Sequence, residues 1–80
     1  MVIKGKITYK VDGNHPDIQD MPSEYWYDKV FTYEDEYTFG DDWGYEEAVL
    51  YIERDLKITA GGGYSSRNIY DFHIETEVVE

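Results

Sequence analysis

Nine tyrosines and two tryptophans are threaded among carboxylates along eighty residues, and that pairing is the main chemical resource of the chain. The runs Tyr25-Trp26-Tyr27-Asp28, Tyr33-Glu34-Asp35-Glu36-Tyr37 and Asp41-Asp42-Trp43-Gly44-Tyr45-Glu46-Glu47 set large, stiff, amphipathic rings beside fixed negative charge. Rings of this kind anchor protein interfaces, and neighbouring acids add a field that draws cationic surfaces. A plainer role accounts for part of the set: strand tyrosines fill a small core and acids keep it in solution. That role leaves the local density of acids unexplained.

Other chemistries find less support. Glu46/Glu47 and Asp41/Asp42 are adjacent, and neighbours on a helix diverge by about 100°, so they do not face each other as a general acid and base. His15 falls among turn formers and His73 in an alternating segment, with no HExxH spacing and no Ser–His–Asp grouping. Asp12, Asn14 and Asp17 lack the acid, glycine and glutamate positions of an oxygen-ligand calcium loop, which favours a turn. Gly61-Gly62-Gly63, followed by Tyr64, Ser65, Ser66 and Arg67, has no GxxxxGK[ST] pattern, so a helix stop is expected instead of a phosphate cradle. Cysteine is absent, which removes disulfides and thiolate metal sites and fits a reducing compartment. The expectation is a non-enzyme with no cofactor and no metal.

Charge sharpens this. Residues 1–10 hold three lysines and no acid, whereas residues 12–55 hold fourteen acids against Lys29 and Arg54, a local −12. The formal total is −11, beyond the magnitude of about 2–8 that solubility asks of a small domain. Such a field repels phosphate, so direct nucleic-acid and anionic-membrane binding are disfavoured, and the expected partner is a basic protein surface. No apolar run nears the roughly 20 residues of a membrane span, and Met1–Lys10 alternates where a secretion signal would be apolar. A cytoplasmic protein is expected.

The elements that must position these groups follow from periodicity. Ile3, Ile7, Tyr9 and Val11 alternate with Lys4, Lys6, Thr8 and Lys10, predicting a half-buried strand over residues 2–11. Turn formers from Asp12 to Asp17 open an irregular segment through about Pro22. Aromatic and β-branched residues from Tyr25 to Phe39 predict a second strand, bulged or with Tyr25–Tyr27 as a separate piece. After Gly40-Asp41-Asp42-Trp43-Gly44 the period becomes helical: Tyr45, Val49, Ile52, Leu56 and Thr59, with Ala48 beside them, predict a helix over residues 45–60, capped near Asp42 and closed by the glycines. Tyr70, Phe72, Ile74, Thr76 and Val78 then alternate with Asp71, His73, Glu75 and Glu77 as a third strand. The outcome is a single α+β domain over residues 1–80, in β-β-α-β order. One helix covers one face of a three-stranded, largely antiparallel sheet, and Lys–Glu pairs occupy the other. Packed as a globule, the chain would have a radius of gyration of about 12 Å.

Carboxylates three or four apart on a helix stand about 5–6 Å apart per step, a scale comparable to nucleic-acid phosphates. In size, in the absence of cysteine and in the acidic run from Glu34 to Asp55, the chain resembles the small phage-encoded DNA-mimic inhibitors of anti-CRISPR and anti-restriction type. The resemblance implies a blocker of a CRISPR complex, nuclease or other DNA-binding protein, acting in the host cytoplasm if the chain is phage-encoded. The expected partner-binding surface is Glu34, Asp35, Glu36, Asp41, Asp42, Glu46, Glu47, Glu53 and Asp55, with Trp43 and Tyr51 as anchors. Two alternatives stay open. One is an immunity protein or antitoxin for a cognate nuclease; the other is an assembly module dimerising through Leu50, Tyr51, Arg54 and Ile58, which lie off the main helical stripe.

Overall fold

Alternation in the first ten residues does what its period dictates: Ile3, Ile7 and Val11 are buried on one side of a strand whose other side carries Lys4, Lys6 and Lys10. The computed structural model describes residues 1–80 apart from Tyr64, and runs β1 (Val2–Val11), β2 (Phe31–Thr38), α1 (Tyr45–Ala60) and β3 (Ile69–Val78). β1 is central, antiparallel to both neighbours in the order β2-β1-β3. The fold is therefore α+β with a three-stranded antiparallel sheet in β-β-α-β order.

The helix lies against the centre of the sheet because β1 gives it room there. A Cβ on Gly5 would stand 2.7 Å from Ile52 Cγ2 and 3.1 Å from Leu56 Cδ1, so the absence of a side chain lets α1 sit directly on β1. The buried helix residues are Ala48, Ile52, Leu56 and Ala60, one every four residues. This stripe shares Ala48, Ile52 and Leu56 with the expected one but is rotated at its ends, where Ala60 is buried and Tyr45 and Thr59 are exposed. The first residue before the helix, Gly44, offers no side-chain cap, so Asp42 does not play that part. At the other end Gly62 and Gly63 take φ of 95° and 91° and bond back to Thr59 and Ile58, closing the helix as expected.

Two strand expectations are corrected. β2 begins at Phe31, because Pro22 starts a single 3-10 turn at Ser23–Tyr25 and Asp28 turns left-handed at φ 55°. Aromatic content alone does not make Tyr25–Tyr27 a strand. β3 contains an extra residue: Thr8 pairs with His73 but Lys10 with Tyr70, and Asp71 sits at φ 49° in the resulting bulge. Tyr70 is therefore moved to the open face beside Lys10, while Ile69 turns inward opposite Val11.

The segment between β1 and β2 is tied down from within. His15 is buried, its Nε2 2.6 Å from the Ala60 carbonyl at the end of α1, and its Nδ1 accepts the Asp17 N–H at 3.1 Å. Ile18 joins the core beside it. Asn14 N–H donates to Asp12 Oδ1 at 2.9 Å, making this stretch the expected turn. With long strands and a helix along one axis, the molecule measures 46 × 20 × 17 Å. Its radius of gyration is 14.0 Å, larger than that of a round globule.

The Gly5 contact yields a measurable consequence. Gly5→Ala should lower the unfolding free energy in urea by about 1–3 kcal/mol, the usual result of adding a methylene to a packed core. Gly13→Ala, whose added methyl meets only the Trp26 ring at 3.4 Å, should stay within about 0.5 kcal/mol. Equal effects at the two positions would show that helix and sheet do not meet this closely.

Candidate functional site

The loop from Gly40 to Gly44 turns the chain from β2 into α1 at the end of the sheet where β1 begins and β2 and β3 finish. It projects Asp41, Asp42 and Trp43 there, with Trp43 N–H donating to the Gly40 carbonyl at 3.2 Å. Glu46 and Glu47 follow in the first turn of α1, where the helix dipole favours negative charge. All four carboxylates are exposed.

Rings fix this end. Trp43, 38 % exposed, packs 5.0 Å from Phe39 and 5.8 Å from Tyr51 between ring centroids. Tyr51, 49 % exposed, meets Phe39 at 5.9 Å and Tyr37 at 6.3 Å edge to face. Phe39 is buried beneath them and forms the platform. Phe39 was not singled out from the sequence, where it only ends the predicted second strand.

The other acids go elsewhere. Glu34 and Glu36 point away from α1, on the open face of the sheet. There they stand opposite Lys6 and Lys4 in register, and Lys4 Nζ reaches Glu34 Oε2 at 3.6 Å. Glu75 and Glu77 oppose the same two lysines from β3, enclosing a shallow depression of about 460 Å³. Asp35 lies on the helix side of β2, accepting the Tyr33 hydroxyl at 3.3 Å and the Glu36 N–H at 2.9 Å. Asp55, on α1, accepts the Tyr37 hydroxyl at 2.6 Å. Glu53 is half-buried, two turns along α1 from Glu46. The structure thus gathers Asp41, Asp42, Trp43, Glu46, Glu47 and Tyr51 at one end. It separates from them Glu34 and Glu36 on the opposite face, Asp35 and Asp55 bonded to tyrosines, and Glu53 further along the helix.

Ion pairing divides the acids in the same way. Among the described residues the side-chain ion pairs of lysine and arginine are Lys4–Glu34 and Lys10–Asp28, and neither involves Asp41, Asp42, Glu46 or Glu47. The Met1 amine, donating to the Phe39 carbonyl at 3.0 Å, brings one positive charge to this end. The Lys10–Asp28 hydrogen bond, 2.9 Å, holds the Asp28 carboxyl below and the Lys10 ammonium above their ordinary values. No group of three or more His, Cys, Asp or Glu among the described residues could hold a metal ion, and no helix is long and apolar enough to cross a membrane.

No protein-family model, no curated protein and no solved structure matches this chain.

Burial, then the hydrogen bond to Asp55 and the charges of Asp55 and Asp35, push the Tyr37 hydroxyl far above the usual tyrosine value. The folded state therefore keeps a proton that the unfolded chain loses near pH 10. The associated stabilisation is present below about pH 10 and is lost as pH rises toward the folded-state value. Urea melts between about pH 9 and 11.5 should show stability falling more steeply in the wild type than in Tyr37→Phe; parallel curves would mean that the bond to Asp55 is not held in solution.

Proposed function

We propose that this chain is a non-enzymatic acidic binding protein that inhibits a nucleic-acid-handling protein, such as a CRISPR complex, a nuclease or another DNA-binding protein, by occupying its basic site. The observation that carries the proposal is the end built from Asp41, Asp42, Glu46 and Glu47 around the half-exposed Trp43–Tyr51 pair, where none of the four acids is in an ion pair among the described residues. A basic groove gains from such a surface twice. The field steers encounter and raises the association rate, and burial of the rings supplies the short-range part, where a tryptophan anchor contributes about 2 kcal/mol or more.

The three lysines of β1 are engaged away from this end. Lys4 and Lys6 stand between Glu34, Glu36, Glu75 and Glu77, and Lys10 is held by Asp28. An immunity protein for one cognate nuclease would use the same surface. A dimer through α1 is the second reading, favoured by Leu50, which is 67 % exposed beside Tyr51 and Ile58; a single monomeric species in sedimentation at high concentration would exclude it.

Capture from host lysate tests the main proposal. The retained protein should elute as salt rises, should be displaced by duplex DNA, and should be lost to the Glu46→Lys/Glu47→Lys variant. Circular dichroism would confirm that this variant keeps its helix, since cations in the first turn cost about 0.3–1 kcal/mol each. Capture indifferent to both salt and duplex would refute occupation of a nucleic-acid site.

A further inference from the structure

The two free edges of the sheet are not equivalent. Phe39 N–H donates to the Met1 carbonyl at 2.8 Å, whereas Val79 N–H donates to Val2 and Asp12 N–H to Asn68, at 2.9 and 3.0 Å. The antiparallel ladder therefore sends odd-numbered β1 residues to β2 and even-numbered ones to β3. On β2 this leaves the backbone groups of Thr32, Glu34, Glu36 and Thr38 facing outward. On β3 it leaves those of Ile74, Thr76 and Val78.

β2 is guarded. The outward Glu36 N–H is already taken by Asp35 Oδ1, and the Asp35 charge sits on the helix side, where a docking strand would need apolar contact. Inward charge on an edge strand blocks strand addition. Among the described residues β3 has neither device beyond its bulge at Asp71. From Phe72 to Val78 its helix side is Phe72, Ile74, Thr76 and Val78, of which Phe72 is 46 % and Val78 49 % exposed; Lys57 Nζ lies 5.7 Å over the Phe72 ring. Its open side is His73, Glu75 and Glu77.

The geometry points to the β3 edge as a docking site for an extended, basic segment of another protein, added as a fourth strand with Lys or Arg on the open face and aliphatic residues on the helix side. β1 shows what fits: its Lys4 and Lys6 oppose Glu77 and Glu75 from within the sheet, and an incoming strand would repeat that row on the other side of β3. A second copy does not fit. The open-face rows of both available edges are glutamates, so β3 against β3 or β2 sets like charges opposite each other. The inference shares with the proposed function a cationic protein partner, but uses another surface and stands without the Trp43 end.

The probe is a synthetic heptapeptide alternating Lys and Val, titrated into the full chain and followed by amide NMR and hydrogen exchange. Shifts should concentrate on residues 72–78, and exchange should slow at Ile74, Thr76 and Val78. Methylating alternate backbone nitrogens of the peptide, which keeps its charge but removes its ladder bonds, should abolish the protection. Thr76→Pro should do the same, since the Thr76 N–H makes no bond within the sheet. Glu75→Lys/Glu77→Lys, which leaves the backbone alone, should weaken the Lys peptide about tenfold, as expected when cross-strand pairs reverse sign, and should gain affinity for a Glu-substituted peptide. Full binding of the methylated peptide, shifts centred on the Trp43 end, or indifference to the Glu75/Glu77 reversal would each overturn the inference. A loss of lysate capture with intact peptide binding would fail the proposed function alone.

Discussion

A single helix can cover only the middle of a sheet, and here the middle is fixed by the contact of Ile52 and Leu56 with the bare backbone at Gly5. Helix and side chains are about 10–12 Å across, while strands lie about 4.8 Å apart. With α1 centred on β1, the back of the sheet and both edges are left to water. The back is made tolerable by charge: a central row of lysines between two rows of glutamates. Each cross-strand pair contributes only about 0.2–1 kcal/mol. Together they also set register, because a one-residue slip of β1 would drive Lys4 and Lys6 against the helix.

That arrangement explains how a chain of net −11 carries a coherent negative end. The lysines of the first ten residues are consumed on the back of the sheet and by Asp28. Asp35 and Asp55 serve as acceptors for tyrosine hydroxyls. What remains near the start of α1 is exposed, and it surrounds rings that are supported from beneath by Phe39 and held at the flank by Tyr37. Acids engaged within the molecule and acids left exposed at the start of α1 are therefore different residues, although they lie within the same twenty-two positions of sequence, Glu34 to Asp55.

β1 and α1 were legible to the residue because each has an unbroken period bounded by turn formers: Asp12-Gly13 after the strand, Gly44 before the helix and three glycines after it. β2 was overextended because Tyr25-Trp26-Tyr27 has strong strand propensity, and only the left-handed Asp28 and the turn after Pro22 defeat it. The bulge in β3 was hidden, since Tyr70 and Ile74 share a parity that a single extra residue breaks; the buried Ile69, on the opposite parity, was the clue. His15 looked like any loop histidine, and its bond to Ala60 joins positions forty-five residues apart. The density of acids was plain from the sequence. The place of Glu34 and Glu36 opposite the lysines on the open face was legible as well, from strand parity. The bonding of Asp35 and Asp55 to tyrosine hydroxyls was not, because it depends on how α1 packs beside β2.

The unequal edges follow from the same geometry. β2 runs beside the flank of α1 that carries Asp55, so its helix side is filled by Tyr33, Asp35 and Tyr37, and the Asp35 carboxylate is free to turn outward onto the Glu36 N–H. β3 runs beside the other flank, where Lys57 overhangs Phe72, and Phe72 and Val78 on its apolar side stay half exposed. β3 also finishes at the end of the sheet where α1 starts, so Glu77 and Val78 lie at the same pole as Asp41 and Asp42. A segment paired along β3 is thereby led toward the acidic rings, and a linked basic groove would meet them at a high effective concentration instead of from bulk solution.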